Sequence, residues 1–359
     1  MEARVAVAAG DGIGVEVMPE ALRVLAEIQR RCGHTFTYEE TLVGGCAIDA
    51  HGVALPDEAL ALFDDVGVLL FGACGGPQWD NVPAAERPER ALATIRKEFD
   101  LFVNLRPVRA RKSLAPVLPV KERIVGEGLD FVVVRELAGG IYYGEPHGIE
   151  EGPDGRRGYN TMTYTEAEIE RVLRAAYELA RGRRNHVTSV DKANMIEVSR
   201  VWREVAVRVA EEYPDVETNH LLIDACALEV VLRPSQFDVL VTGNLFGDIL
   251  TDEAGALAGS LGMLPSASYG DWRHALYEPI HGTAPDIAGH GLANPLGMIL
   301  TAAMMLRHSF ELTEEAQAID DAVDKALEDG FRTGDIRQDG LDVVGTHEMT
   351  DAVIARLDV

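Results

Sequence analysis

The chain has 359 residues, 47% of them apolar, and a formal net charge of −26. That length can bury a large core and divide into two lobes, while the acidic field repels phosphates and excludes nucleic acid and anionic membrane surfaces as partners. No stretch approaches the roughly 18–20 uncharged apolar residues of a bilayer crossing, and MEARVAVAAG lacks a signal-peptide layout, so a cytoplasmic location is expected.

In chain order, RVAVAAG (4–10), VGVLLFGA (66–73), FVVVRE (131–136), HVTSVDKA (186–193) and FDVLVTGN (237–244) are short, β-branched and mostly without alternation, the pattern of strands covered on both faces. Amphipathic helices lie between them. In TEAEIERVLRAAYELARG, Thr165 and Glu168 have capping-box spacing, Ile169, Val172, Leu173 and Ala176 form one stripe, and Gly182 is placed to end the helix. Val198, Val201, Trp202, Val205 and Val209 make a second such stripe. The expected fold class is α/β with a largely parallel inner sheet. The polar, glycine-rich GEPHGIEEGPDGRRGYN (144–160) reads as an excursion, either a loop or an antiparallel arm exchanged with another subunit. Cys32, Cys46, Cys74 and Cys226 show no CxxC pair, so they are read as small core residues rather than a thiolate zinc site or a disulfide framework.

Three features point toward chemistry. AGDGIGVEVMPEAL (9–22) opens a helix but carries Val15 where the GxGxxG fingerprint needs glycine, so it is not a Rossmann dinucleotide turn. In GNLFGDILTDEAG (243–255), Asp248 and Asp252 stand four apart on one helix face after a buried strand, where open α/β sheets bind ligands. Such a pair is either a solvated acidic surface or the seat of a cation that relieves its repulsion. An anionic ligand needs a basic cluster against the background charge, and IRKEFDLFVNLRPVRARK (95–112) with Arg135 supplies one. Arg109, Arg111 and Lys112 read as plain surface. Arg96, Arg106 and Arg135 adjoin apolar stretches and are candidates to fork onto a carboxylate.

GDGIG with Glu16, RKEFDLFVNLRP, VRELAGGIYYGEP (134–146), SVDKANM (189–195), GNLFGDILTDEAG and EPIHGTAPDIAGHGLANP (278–295) occur in the order found in the β-decarboxylating dehydrogenases, which act on isopropylmalate, isocitrate, homoisocitrate, tartrate or malate. The chain resembles this family from about residue 4 to 355, and most of all its isopropylmalate-oxidising branch. The resemblance implies a two-lobed fold that is not a Rossmann fold, with residues 1–102 and 259–359 forming a cofactor-binding lobe from both chain ends. Residues 103–258 would form the second lobe, with the metal carboxylates, the dimer contact and the arm.

It also implies NAD and Mg²⁺ or Mn²⁺ as cofactors and a homodimer with shared active sites. The metal would be held by Asp248 and Asp252 with Asp224 of the other subunit, Asp224 also facing the substrate. Arg96, Arg106 and Arg135 would bind the substrate carboxylates. Lys192, again from the partner, would be the base, and Tyr142 the proton donor after CO₂ leaves; taken by themselves, a helix-start lysine and a packed aromatic are the plain alternatives. On the cofactor side stand Glu278, His281, Gly282, Asp286, Ile287 and Asn294, with the Asp286 carboxylate favouring NAD over NADP. His290 and His308 read as ordinary surface or helix residues. In the isopropylmalate branch the helix before Arg96 reads E-x-G-L-L-x-(L/I)-R-K. Here Glu89 and Leu92 are kept and Ala93 replaces the second leucine, which leaves room for another substituted malate; a silent regulatory subunit of the family is a further alternative.

Overall fold

The structure is a computed structural model that describes residues 1–83, 86–126 and 128–359. Its strands are β1 (Glu2–Gly10), β2 (Thr35–Glu40), β3 (Val68–Ala73), β4 (Val103–Ala110), β5 (Leu129–Glu136), β6 (Gly148–Gly152), β7 (Gly155–Tyr159), β8 (His186–Asp191), β9 (Glu217–Leu222), β10 (Val239–Thr242), β11 (Pro265–Tyr269) and β12 (Ala275–Pro279). The chain divides into two compact units, one of residues 1–101, 110–122 and 255–359, the other of residues 102–109 and 123–254.

In the first unit the strand order is β2-β1-β3-β12-β11. β1 runs parallel to β2 and β3, β3 parallel to β12, and only β11 pairs antiparallel, with β12. Every residue of β3 is buried, as a strand covered on both faces requires. The Leu296–His308 helix is buried from Leu296 through Leu306; a helix apolar all round belongs inside a core.

The second unit has the order β4-β5-β10-β8-β9, with β5, β10, β8 and β9 in parallel register. The Glu166–Arg181 helix starts on the expected capping box, Thr165 accepting from the Glu168 N–H while Glu168 reaches back. Residues 144–160 contain an antiparallel hairpin, β6 paired with β7, almost wholly exposed. Among the described residues no helix is long and apolar enough to cross a membrane.

Two sequence expectations need correction. Arg111 is not a solvated surface residue: it is 6% exposed and paired with Asp324, because the Lys112–Val117 turn that follows it packs on the Thr313–Glu328 helix that carries Asp324. Of the four cysteines only Cys226 is buried, and Cys32, Cys46 and Cys74 are half-buried.

Candidate active site

In the second unit, Arg135 is the last residue but one of β5, paired with Thr242 at the end of β10 just before the Asn244–Ala258 helix, so parallel register sets the arginine beside the first turns of that helix. Gly247 permits the close approach: a Cβ there would stand 2.7 Å from Arg135 Cγ. Arg135 is 4% exposed, forms an ion pair with Asp248, and donates from Nε and Nη2 to Asn244 Oδ1 at 3.0 and 2.7 Å.

Arg106, from β4, donates to Asn104 Oδ1 and Thr251 Oγ1, each at 2.7 Å. Its guanidinium lies 3.6 Å from Asp248 and 3.9 Å from Asp252. The i, i+4 carboxylates therefore do share a face, with two buried arginines against them. Tyr142 donates to Asp248 Oδ2 at 3.0 Å. Partial burial raises the Tyr142 phenol above its ordinary value, and the Asp248 charge raises it further; it is a weakly acidic proton donor held at a carboxylate.

A buried network supports this cluster, and Glu136, Tyr164, Asn244, Asn104 and Thr251 were not singled out from the sequence. Asn244 is 1% exposed and donates to the Leu137 and Gly139 carbonyls at 3.1 and 3.0 Å. Glu136 is fully buried and accepts from the Ala138 and Gly139 N–H groups at 3.0 Å. Burial pushes its carboxyl up to about 7, against the pull of those donors. Tyr164 accepts from the Asn244 N–H at 2.8 Å. The segment from Arg135 to Tyr142 is thus tied at both ends to the residues that hold the charges.

Lys192 and Asp224 are brought to each other, not to Asp248 and Asp252. Lys192 follows β8, Asp224 lies in the first turn of the Ile223–Leu232 helix after β9, and the two form an ion pair. The lysine holds the Asp224 carboxyl below its ordinary value.

In the first unit, Arg96 of the Glu89–Glu98 helix donates to Glu278 Oε1 at 2.7 Å. Glu89 is exposed at the start of that helix, and half-buried Leu92 packs on the apolar cluster around Phe71 and Ile95. A cavity of about 550 Å³ lies beside the loop after β12, lined by His281, Gly282, Ala284, Ile287, Leu292 and Asn294 together with Ser260–Gly262, Asp335 and Val343. His281 is 8% exposed, its Nδ1 meets the Gly282 carbonyl at 2.9 Å, and its buried Nε2 has no partner within the protein. Burial lowers the His281 imidazole below its ordinary value, which favours the neutral ring. Asp286 is exposed on the same loop.

The GDGIG segment serves this loop and the turns beneath it. Asp11 accepts from the N–H groups of Gly45, Cys46 and Gly75 at 2.7, 2.7 and 2.9 Å. Gly12 has φ 53°, and a Cβ there would meet the Thr283 carbonyl oxygen at 2.3 Å. Ile13 N–H donates to that carbonyl at 2.9 Å, and Glu16 accepts from Gly289 N–H and, at 2.8 Å, from Gly291 N–H.

The chain belongs to the isocitrate/isopropylmalate dehydrogenase family, whose model matches residues 4–353. It is 53% identical over 355 residues to the 3-isopropylmalate dehydrogenase of Aquifex aeolicus (strain VF5), covering 99% of this chain and 97% of that one. The 3-isopropylmalate dehydrogenase of Halalkalibacterium halodurans is 51% identical over 354 residues, with the same coverage. Among solved structures, the isocitrate dehydrogenase from Methylococcus capsulatus is similar with a TM-score of 0.88 at 32% identity, covering 99% of each chain.

Proposed function

We propose that this protein is a cytoplasmic, homodimeric, NAD-dependent enzyme that oxidises (2R,3S)-3-isopropylmalate to 4-methyl-2-oxopentanoate and CO₂ in leucine biosynthesis. The observation that carries the reading is the cluster of Arg106, Arg135 and Tyr142 on Asp248 and Asp252, in a chain about half identical to 3-isopropylmalate dehydrogenases along its whole length.

The residues fit a hard divalent cation. Asp248 and Asp252 offer only oxygen donors, with side chains 36% and 64% exposed, open enough to admit an ion. Asp224 is the third ligand, reached from the partner subunit. Mg²⁺ or Mn²⁺, when bound, supplies positive charge that polarises the C2 oxygen and steadies the enolate left by decarboxylation. NAD supplies the hydride acceptor, and the cavity beside His281 fits it: the unpartnered Nε2 is a polar atom awaiting a ligand in an otherwise largely apolar wall.

The rest is done by the protein's own side chains. Arg96, Arg106 and Arg135 fork onto the substrate carboxylates and orient the C2–H bond. Lys192 of the partner removes the C2 hydroxyl proton, Tyr142 returns a proton to carbon after CO₂ departs, and the Asp286 carboxylate accepts the adenosine ribose hydroxyls. Homodimerisation draws support from exposed Ile149, Leu228, Leu232 and Ile249, an apolar set that the second unit leaves bare.

The test is NADH formation with Mg²⁺, comparing 3-isopropylmalate, isocitrate, homoisocitrate, malate and tartrate at equal concentration. A clear preference for 3-isopropylmalate is expected. Preference for another acid would keep the chemistry and move the specificity; no turnover with any would overturn the enzymatic reading in favour of a silent subunit.

A further inference from the structure

Cys32, His34 and Glu315 take no part in the proposed reaction, yet one donor atom from each lies within 4.8 Å of the other two, and this is the one such grouping of three His, Cys, Asp or Glu donors found among the described residues. Each side chain arrives for a local reason. Cys32 is the last residue of the Gly14–Cys32 helix, and Gly33, in the left-handed region at φ 73°, turns the chain so that His34 leads into β2. Phe36 of β2 stacks on Phe310 with ring centroids 5.7 Å apart, which draws the start of the Thr313–Glu328 helix, with Glu315 in its first turn, toward the strand. The His34 ring stacks on Phe36 at 5.9 Å, and its Nε2 lies 2.8 Å from Glu315 Oε1. The His34 and Glu315 side chains are 11% and 16% exposed, and Cys32 is half-buried.

We infer that Cys32, His34 and Glu315 form a binding site for a borderline-soft divalent cation of the zinc class. Thiolate, imidazole and carboxylate together suit zinc, whereas Mg²⁺ and Mn²⁺ prefer oxygen alone, so the site is chemically distinct from Asp248 and Asp252. Around a tetrahedral zinc with bonds of roughly 2.0–2.3 Å, ligand atoms stand about 3.3–3.8 Å apart. The His34–Glu315 contact of 2.8 Å therefore opens slightly, the Cys32 thiol gives its proton to solvent, and the fourth position falls to water. A search for CxxC pairs misses this site because its motif is Cys-x-His, with the third ligand 281 residues beyond the histidine. An ion there ties the end of one helix, the start of β2 and the head of another helix together.

The test uses the full chain in excess Mg²⁺, titrated with Co²⁺ and then Zn²⁺. A thiolate-to-cobalt charge-transfer band saturating at one equivalent, displaced by Zn²⁺, kept in Asp252→Asn and lost in Cys32→Ser with an unchanged circular dichroism spectrum, is the expected result. Glu315→Gln should weaken Zn²⁺ binding by more than about tenfold, the scale of losing a supporting group at a metal. Absence of the band from the wild type, its persistence in Cys32→Ser, or its loss in Asp252→Asn would each overturn the site.

Discussion

In the second unit the functional side chains satisfy one another, whereas in the first the cofactor-side cavity leaves the His281 Nε2 without a protein partner. Buried arginines cannot stay unpaired, so Arg106 and Arg135, 9% and 4% exposed, are held against Asp248. A dianionic substrate and a cation arriving there exchange one set of ionic contacts for another, and orientation rather than raw attraction is what the cluster offers them. The cavity beside His281 is framed by backbone hydrogen bonds and apolar walls, so a ligand gains contacts without displacing protein ones. Removing a side chain should therefore cost far more in the second unit than in the first.

The largest expected effect is at Lys192. Lys192→Met removes the proposed base and should lower kcat by about 10²–10⁴-fold while gel filtration shows an unchanged assembly; near-normal turnover would remove the lysine from that role. The matching change on the cofactor side is Asp286→Arg, which replaces an exposed carboxylate by a cation suited to a 2′-phosphate. The ratio of kcat/KM for NAD over NADP should fall by more than about tenfold, and an unchanged ratio means that the ribose is read elsewhere.

Asn244→Ala strips two bonds from Arg135 and one each from the Leu137 and Gly139 carbonyls, all buried. It should cost about 2–4 kcal/mol of stability, since several buried groups lose partners at once, and reduce kcat/KM about as strongly as a displaced guanidinium implies. A stable variant with normal kcat/KM would break the view that this network positions Arg135. The same network makes a pH prediction. The folded Glu136 carboxyl sits at about 7, above its ordinary 4.5, so the native state holds this proton longer than the unfolded chain does. Its contribution is fully present below about pH 4.5 and is lost as pH rises through 7. Denaturant midpoints should fall from pH 5 to pH 8 more steeply in the wild type than in Glu136→Gln, roughly as this linkage requires; equal slopes would show that Glu136 is not the titrating group.

The sequence reveals this molecule unevenly, for physical reasons. β3, β5 and β10 are legible because burial on both faces writes a continuous apolar run, while β8 (HVTSVD) is legible from its β-branched residues, although polar ones are buried among them. β2 and β9, TFTYEE and ETNHLL, lie at the ends of their strand orders and carry polar side chains without such a run. β11 and β12 are short, and buried Ser266 and Ser268 disguise β11. The proximity of Asp248 and Asp252 follows from helical spacing, and the gathering of arginines near strand ends follows from the need to meet an anion. Asn244 and Tyr164 could not be found that way, because both are neutral and their partners come from sequence-distant segments, nor could Glu136, whose partners are backbone N–H groups of the next turn that no side-chain pattern marks. Arg111 misleads for a related cause: its counter-charge, Asp324, is over two hundred residues away.

The smallest expected effect sharpens the comparison most. Glu16 holds the Gly289 and Gly291 N–H groups, but the same loop is also fixed by Ile13 N–H on the Thr283 carbonyl, Ile287 N–H on the Ala284 carbonyl and Thr346 N–H on the Gly291 carbonyl, at 2.9, 3.1 and 2.9 Å. Glu16→Ala therefore loosens one anchor among several and touches no buried charge. KM for NAD should rise only about two- to fivefold, near 1 kcal/mol or less, with kcat held because the proton-transfer residues are untouched, and Glu16→Gln should restore part of the loss through its remaining amide oxygen. A collapse in kcat instead would mean that the loop does more than cradle the cofactor. In that event the first unit would share the second unit's dependence on single side chains, and the contrast between a self-satisfied charge cluster and a backbone-framed cavity would fail.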